Sequence, residues 1–129
     1  MFIDASALVA ILLDEPERER FSDAVANSSR PVTSPVAVYE TTVALMRVTT
    51  LTLDQATIRV RRALQSAGIE VVPISDEIGR AALDAFDRFG KGRHKAGLNM
   101  GDCFAYGAAR VLGVPLLYKG ADFAETELG

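Results

Sequence analysis

Cysteine, excess basic charge and long apolar runs are all scarce in this chain of 129 residues. The single cysteine, Cys103, cannot close an internal disulfide, and with one histidine, His94, there is no Cys/His cluster for zinc. That usage fits a reducing cytoplasm. The first residues carry neither a basic stretch nor a cleavage site of the export type. No apolar run approaches the roughly 20 residues needed to span a bilayer. Net charge is −3, so the whole protein is not an electrostatic binder of nucleic acid. Any such binding has to come from a local patch. What remains is an ordinary globular composition, 49% hydrophobic and 24% charged, at a length that suits one domain over residues 1–129.

Punctuation along the chain predicts alternating strands and helices. Phe2 to Asp4 reads as a buried strand, followed by a helix from Ala7 to Leu13 that Glu15-Pro16 breaks. Pro16 and the charged run Glu17 to Arg20 open a second helix, to about Asn27. Arg30 to Thr33 is a candidate strand. Ser34-Pro35 pairs an N-cap with a proline at the first helical position, and that helix runs to about Thr50. Another starts at Thr52 or Leu53 and stops at Gly68, a C-cap glycine. Ile69 to Ile74 is β-branched and apolar. Ser75 caps a helix to Phe89, and Asn99 caps one to Leu112 that Gly113 ends. Val114 to Tyr118 is the last strand, and the tail from Lys119 is irregular or partly helical. Apolar strands without polar alternation imply a parallel sheet covered on both faces, hence an α/β fold.

Four carboxylates stand out against this pattern. Asp4 separates two apolar segments at the end of a predicted strand, the edge where open α/β sheets bind ligands. Glu40 has Val36, Ala37, Val43 and Ala44 as its helix-face neighbours, so it points toward the core unless it is partly exposed or paired with an arginine. Asp102 lies three residues after Asn99, at capping-box spacing, where the helix dipole favours a negative charge. Asp122 follows the last strand and is open to reading as a turn aspartate. Together these positions can converge at the C-terminal sheet edge. Clustered carboxylates repel one another unless a cation neutralises them, and hard oxygen ligands suit Mg²⁺ or Mn²⁺. The chain separations are long, so spacing alone leaves convergence open.

The chain resembles the PIN-domain ribonucleases, and within them the VapC-type toxins of type II toxin–antitoxin pairs. The matching segments are Phe2-Ile3-Asp4-Ala5-Ser6-Ala7-Leu8, continuing to Leu12; Ser34-Pro35-Val36-Ala37-Val38-Tyr39-Glu40; Gly90 to Tyr106, with Asn99-Met100-Gly101-Asp102-Cys103 at its centre; and Leu116-Leu117-Tyr118-Lys119-Gly120-Ala121-Asp122-Phe123. The third is the most specific. The resemblance implies a PIN-like three-layer α/β/α sandwich with a central parallel sheet. It also implies a site in which Asp4, Glu40 and Asp102 bind Mg²⁺ or Mn²⁺, Asp122 is a fourth acid, and Ser6 supports the first. Two departures are visible. Ala5 stands where relatives often have Thr, and Ala121-Asp122 supplies one acid where relatives often have two or an Asn-Asp pair.

The same resemblance implies a metal-dependent endoribonuclease acting on transfer or ribosomal RNA, a homodimer, and a VapB-type antitoxin partner. An antitoxin arginine could block the acids, since Arg suits carboxylate recognition. Arg88, Lys91, Arg93, His94 and Lys95 make a local positive patch ahead of Asp102. They are candidate RNA contacts, the alternative being a solvated loop. Arg59, Arg61 and Arg62 read as a solvated helix face or an antitoxin contact, Cys103 as core, and Tyr39 and Tyr106 as packing near the site. Two other functions compete. A haloacid-dehalogenase-like phosphatase needs a second Asp two residues after the first, where this chain has Ser6. A non-catalytic PIN-like module that binds RNA or a partner would not need the full set of acids that this chain keeps.

Overall fold

The computed structural model describes residues 1–128. Among these residues, β1 (Phe2–Ile3), β2 (Val32–Thr33), β3 (Glu70–Val71) and β4 (Leu116–Leu117) form one parallel sheet in the order β3-β2-β1-β4. The helices are α1 (Ala5–Leu12), α2 (Arg18–Asn27), α3 (Pro35–Val48), α4 (Leu53–Ala67), α5 (Asp76–Phe89) and α6 (Met100–Leu112). None is long and apolar enough to cross a membrane.

Successive strand residues point to opposite faces of the sheet, and that alternation builds two cores. Phe2, Val32 and Leu116 join α5 and α6 on one face. Ile3 joins residues of α1, α2, α3 and α4 on the other. The outcome is the expected three-layer sandwich, with the central strands between helical layers and Glu70 of the edge strand β3 exposed. Thr33 is polar and fully buried, and its hydroxyl is satisfied by donating to Ile3 O at 2.8 Å.

Local signals set most helix ends. Ser34, Thr52, Ser75 and Asn99 each accept a backbone N–H three residues on. Gly68 and Gly113 close α4 and α6 in the left-handed conformation, at φ 68° and 65°, which costs glycine little.

Three differences from the sequence expectation stand out. First, α1 begins at Ala5 rather than Ala7, because the Asp4 side chain accepts the Ser6 N–H and caps the helix two residues early. Asp4 still extends the sheet through its own N–H, which donates to Leu117 O at 3.0 Å. Second, α2 starts at Arg18, after Glu17, which makes no side-chain cap. A turn with Asp14 at φ 53° and Glu15 N–H donating to Ala10 O takes up the residues around Pro16. Third, β3 and β4 are shorter than their apolar runs. Pro73 and Pro115 have no N–H to give a ladder.

The layer of α5 and α6 depends on a close approach at Gly107. A Cβ there would lie 2.8 Å from Ala82 N and 3.0 Å from Ile78 O, both backbone atoms that cannot swing away. Gly107→Ala is therefore expected to destabilise the fold by about 1–3 kcal/mol, the usual cost of overpacking. A urea or thermal unfolding series checks this, and unchanged stability contradicts it.

Candidate acidic active site

The sheet order has a consequence for chemistry. From β1 the chain moves outward to β2 and β3, then returns to place β4 on the other side of β1. The gap between β1 and β4 is thus a topological switch point, where ligands bind at the carboxyl ends of strands. Asp4 follows β1 and Asp122 follows β4. Glu40 lies in the second turn of α3, which begins directly after β2.

Each acid is held differently. Asp4 is 5% exposed. Its Oδ2 accepts the Ser6 N–H at 3.1 Å and the Ser6 hydroxyl at 2.6 Å. Ser6 Oγ in turn accepts the Lys119 N–H at 2.9 Å, so one hydroxyl ties the loop after β4 to the first acid. Asp102 is also buried. It completes a reciprocal capping box, its Oδ2 accepting the Asn99 N–H at 3.1 Å while Asn99 Oδ1 accepts the Asp102 N–H at 2.9 Å. Glu40 is half-buried at the edge of the buried stripe of α3, and among the described residues it has no hydrogen-bond or ion-pair partner. Its carboxylate rests against the Cα of Gly101, where any side chain would overlap it. Asp122 is exposed and likewise has no such partner among the described residues.

The electrostatics bring the four together. Burial raises Glu40 to about 7, with the charges of Asp4 and Asp102 adding to it. Burial also raises Asp102 to about 6, against the Asn99 N–H and aided by Asp122 and Asp4. Asp4 is raised by burial as well, opposed by its Ser6 and Ala5 hydrogen bonds and reinforced by Asp122. As the side chains stand, no three acidic, His or Cys groups among the described residues close on a single point. They interact at charge–charge range, like charges raising the pKa values of their neighbours. No lysine or arginine forms an ion pair with any of the four among the described residues. Hard oxygens, an unpartnered Glu40 and the space that Gly101 leaves for it fit a divalent cation.

Gly101 had no role in the sequence reading. The available signal was a glycine in the first turn of a helix, beside an acid. Tyr39 is 69% exposed, unlike the packing position read from sequence, because it lies off the stripe formed by Ala37, Val38, Thr41, Thr42 and Leu45. Tyr106 and Cys103 are in the core as expected. Arg59, Arg61 and Arg62 are exposed on α4.

The basic loop is less free than its composition suggests. Arg93 is paired with Asp87 at 2.7 Å and Lys95 with Glu125 at 3.0 Å. Arg88 turns to Asp84, Glu127 and the Tyr106 hydroxyl. His94 packs its ring edge-on to Phe89, and its Nδ1 accepts the Ala96 N–H. Lys91 is exposed with no acidic partner among the described residues. Exposed ion pairs of this kind contribute little, so Arg93 and Lys95 remain exchangeable.

The PIN domain family matches residues 1–128. Ribonuclease VapC30 of Mycobacterium tuberculosis is 40% identical over 128 residues, covering 99% of this chain and 95% of that protein. A VapC ribonuclease of Rhizobium meliloti is 36% identical over 140 residues, covering 99% of each. Two solved structures share the fold at 16% identity. A toxin–antitoxin complex from Klebsiella pneumoniae has a TM-score of 0.74, covering 98% of this chain and 92% of the other. Mycobacterium tuberculosis VapC20, a Sarcin-Ricin loop cleaving toxin, has a TM-score of 0.73, covering 95% and 92%.

Two outcomes follow from the site geometry. Gly101→Ala is expected to fold, because the atom it displaces is the end of a flexible side chain. Divalent-ion affinity, read by titration calorimetry, falls as Glu40 is pushed aside, and wild-type affinity contradicts this role for Gly101. The second outcome concerns pH. Glu40 and Asp102 keep their protons in the folded state up to about 7 and about 6, above their ordinary values of 4.5 and 3.8. The unfolded chain has released those protons by then, so stability without divalent ions falls as pH rises from about 4 to about 7. After discounting for solvent screening and coupling, the loss is on the order of 2 kcal/mol. Urea unfolding across this range checks it, and Glu40→Gln flattens the slope. With its sheet order, its acidic edge and these relatives, the chain belongs to the VapC family of PIN-domain proteins.

Proposed function

We propose that this protein is a metal-dependent endoribonuclease, the toxin of a VapBC-type toxin–antitoxin pair, formed from a single PIN domain and working in the cytoplasm. One observation carries the chemistry. Asp4, Glu40, Asp102 and Asp122 face the same sheet edge, three of them with raised pKa values, and no basic side chain pairs with them among the described residues. A divalent cation suits that arrangement, and Mg²⁺ is the proposed ion, with Mn²⁺ able to substitute. Asp4, Glu40 and Asp102 would hold it, with Asp122 as a further acid at the rim. Bound there, such an ion activates water for attack on a phosphodiester and offsets the charge that develops on the phosphate.

The protein's own contribution is positioning. Ser6 fixes one Asp4 oxygen, the Asn99 N–H fixes one Asp102 oxygen, and each carboxylate keeps its other oxygen clear of these bonds. Glu40 occupies the space that the missing side chain of Gly101 leaves. RNA is the proposed substrate, with transfer or ribosomal RNA as the classes to examine. The proposed partners are a VapB-type antitoxin and a second copy of the chain. Leu83, Phe86 and Met100 leave apolar side chains exposed around a pocket of about 280 Å³, and protein contacts cover such surface. Ser6 bonds to Asp4 at the position where a haloacid-dehalogenase-like phosphatase carries its second Asp, which favours the nuclease over that alternative.

Asp4→Asn and Asp102→Asn are expected to remain folded while losing RNA cleavage by at least about a hundredfold, the scale of removing a charge-stabilising group from an active site. Cleavage of labelled transfer and ribosomal RNA with and without Mg²⁺ checks this, alongside a phosphomonoester control. A folded Asp102→Asn protein that cuts RNA normally removes the assignment.

A further inference from the structure

A groove of about 500 Å³ reaches the acidic site at Glu40 and Ser6, lined also by Glu15, Lys119 and Gly120. A nucleic-acid strand entering it meets the carboxylates of Glu15 and Glu40, and phosphate and carboxylate repel. Lys119 is the one cation in that lining. Its main chain is fixed to the site, since its N–H donates to Ser6 Oγ and Ser6 Oγ donates to Asp4. Its ammonium is braced from the side by Glu15 at 3.1 Å and by Glu17 at 3.5 Å. The Glu17 oxygen nearest it is buried, and that longer contact acts chiefly through charge. A lysine ammonium has three N–H donors. Glu15 takes one and Glu17, at 3.5 Å, takes no more than a second, so a donor is left over, and the side chain remains partly exposed.

We propose that Lys119 is the substrate-phosphate contact of the groove, its braced ammonium donating to a backbone phosphate of RNA next to the scissile bond. This rests on the ribonuclease reading above and adds a residue to it. The hydrogen bond to Glu15 and the charges of both acids raise the Lys119 pKa, so the ammonium stays charged through neutral pH. Two glutamates on one lysine hold it in place without using up its donors. Two bases of the 90–98 loop, Arg93 and Lys95, are tied to acids of their own, at Asp87 and Glu125, whereas Lys91 is not hydrogen-bonded to the site among the described residues. Among the described residues, Lys119 is the one basic residue whose backbone N–H is hydrogen-bonded to Ser6 beside Asp4.

The test is steady-state cleavage of a single-stranded RNA substrate at fixed Mg²⁺ over a range of monovalent salt. Lys119→Met keeps the aliphatic stem and the backbone amide but loses the charge. It is expected to raise KM roughly tenfold at low salt, the scale of a hydrogen bond to a charged group, with the loss falling on KM rather than kcat. The slope of log(kcat/KM) against log salt becomes shallower by about 0.7, the value for one phosphate contact on a single strand. Lys119→Arg restores both. If Lys119 serves only to pair Glu15 and Glu17, Lys119→Met lowers the unfolding temperature but leaves the salt slope at its wild-type value, and the proposal is overturned. A wild-type protein that cuts no RNA overturns the ribonuclease reading and this proposal with it. A wild type that cuts RNA, beside an unaltered slope in Lys119→Met, overturns this proposal alone.

Discussion

Negative charge confined to a low-dielectric edge is the constraint on which the rest of this structure turns. Asp4 and Asp102 are buried, Glu40 is half-buried, and all three bind protons more tightly than free carboxyls do. Holding such groups together opposes folding unless each has compensation. For Asp4 and Asp102 the compensation is local. Asp4 caps α1 and Asp102 completes the capping box that Asn99 opens on α6, and each helix N-terminus repays part of the burial with backbone N–H groups and dipole. Capping and site-building are therefore not rival explanations of these residues. The caps are what allow acids to be kept at the sheet edge at all.

Glu40 is the exception, and it explains Gly101. Glu40 has no cap to serve and no hydrogen bond among the described residues, so burial and its neighbours' charges fall on it undiluted. Its pKa reaches about 7, against about 6 for the capped Asp102. It can lie against α6 only because Gly101 has no side chain. The same helix is brought onto α5 by Gly107, where backbone meets backbone. Two glycines six residues apart in α6 thus do different work, one admitting a carboxylate and the other admitting a helix.

Positive charge is handled with similar economy. The loop between α5 and α6 looked like an open basic patch, yet Arg88, Arg93 and Lys95 each answer a nearby acid. Lys95 and Arg88 reach Glu125 and Glu127 in the tail that also carries Asp122. Phe123 is buried beneath that tail and packs edge-on against Tyr118. The fourth acid is thereby placed by an aromatic anchor and a set of ion pairs rather than by a regular element.

The sequence by itself determined the local facts: Ser34, Thr52, Ser75 and Asn99 as helix starts, Gly68 and Gly113 as stops, the apolar strands, and the Asn99–Asp102 capping box. All of these depend on residues within four positions of one another, and short-range hydrogen bonds and propensities need nothing further. It also marked Asp4 and Glu40 as acids out of place, because the apolar pattern around each is local too. Only the tertiary structure decided the order β3-β2-β1-β4, and with it the switch point that sets Asp4 beside the loop of Asp122. Only it placed Glu40 over Gly101 and Lys119 against Ser6, pairs separated by 61 and 113 positions. Such contacts depend on how two helical layers close on a sheet, and no periodicity within either segment records the partner it will meet.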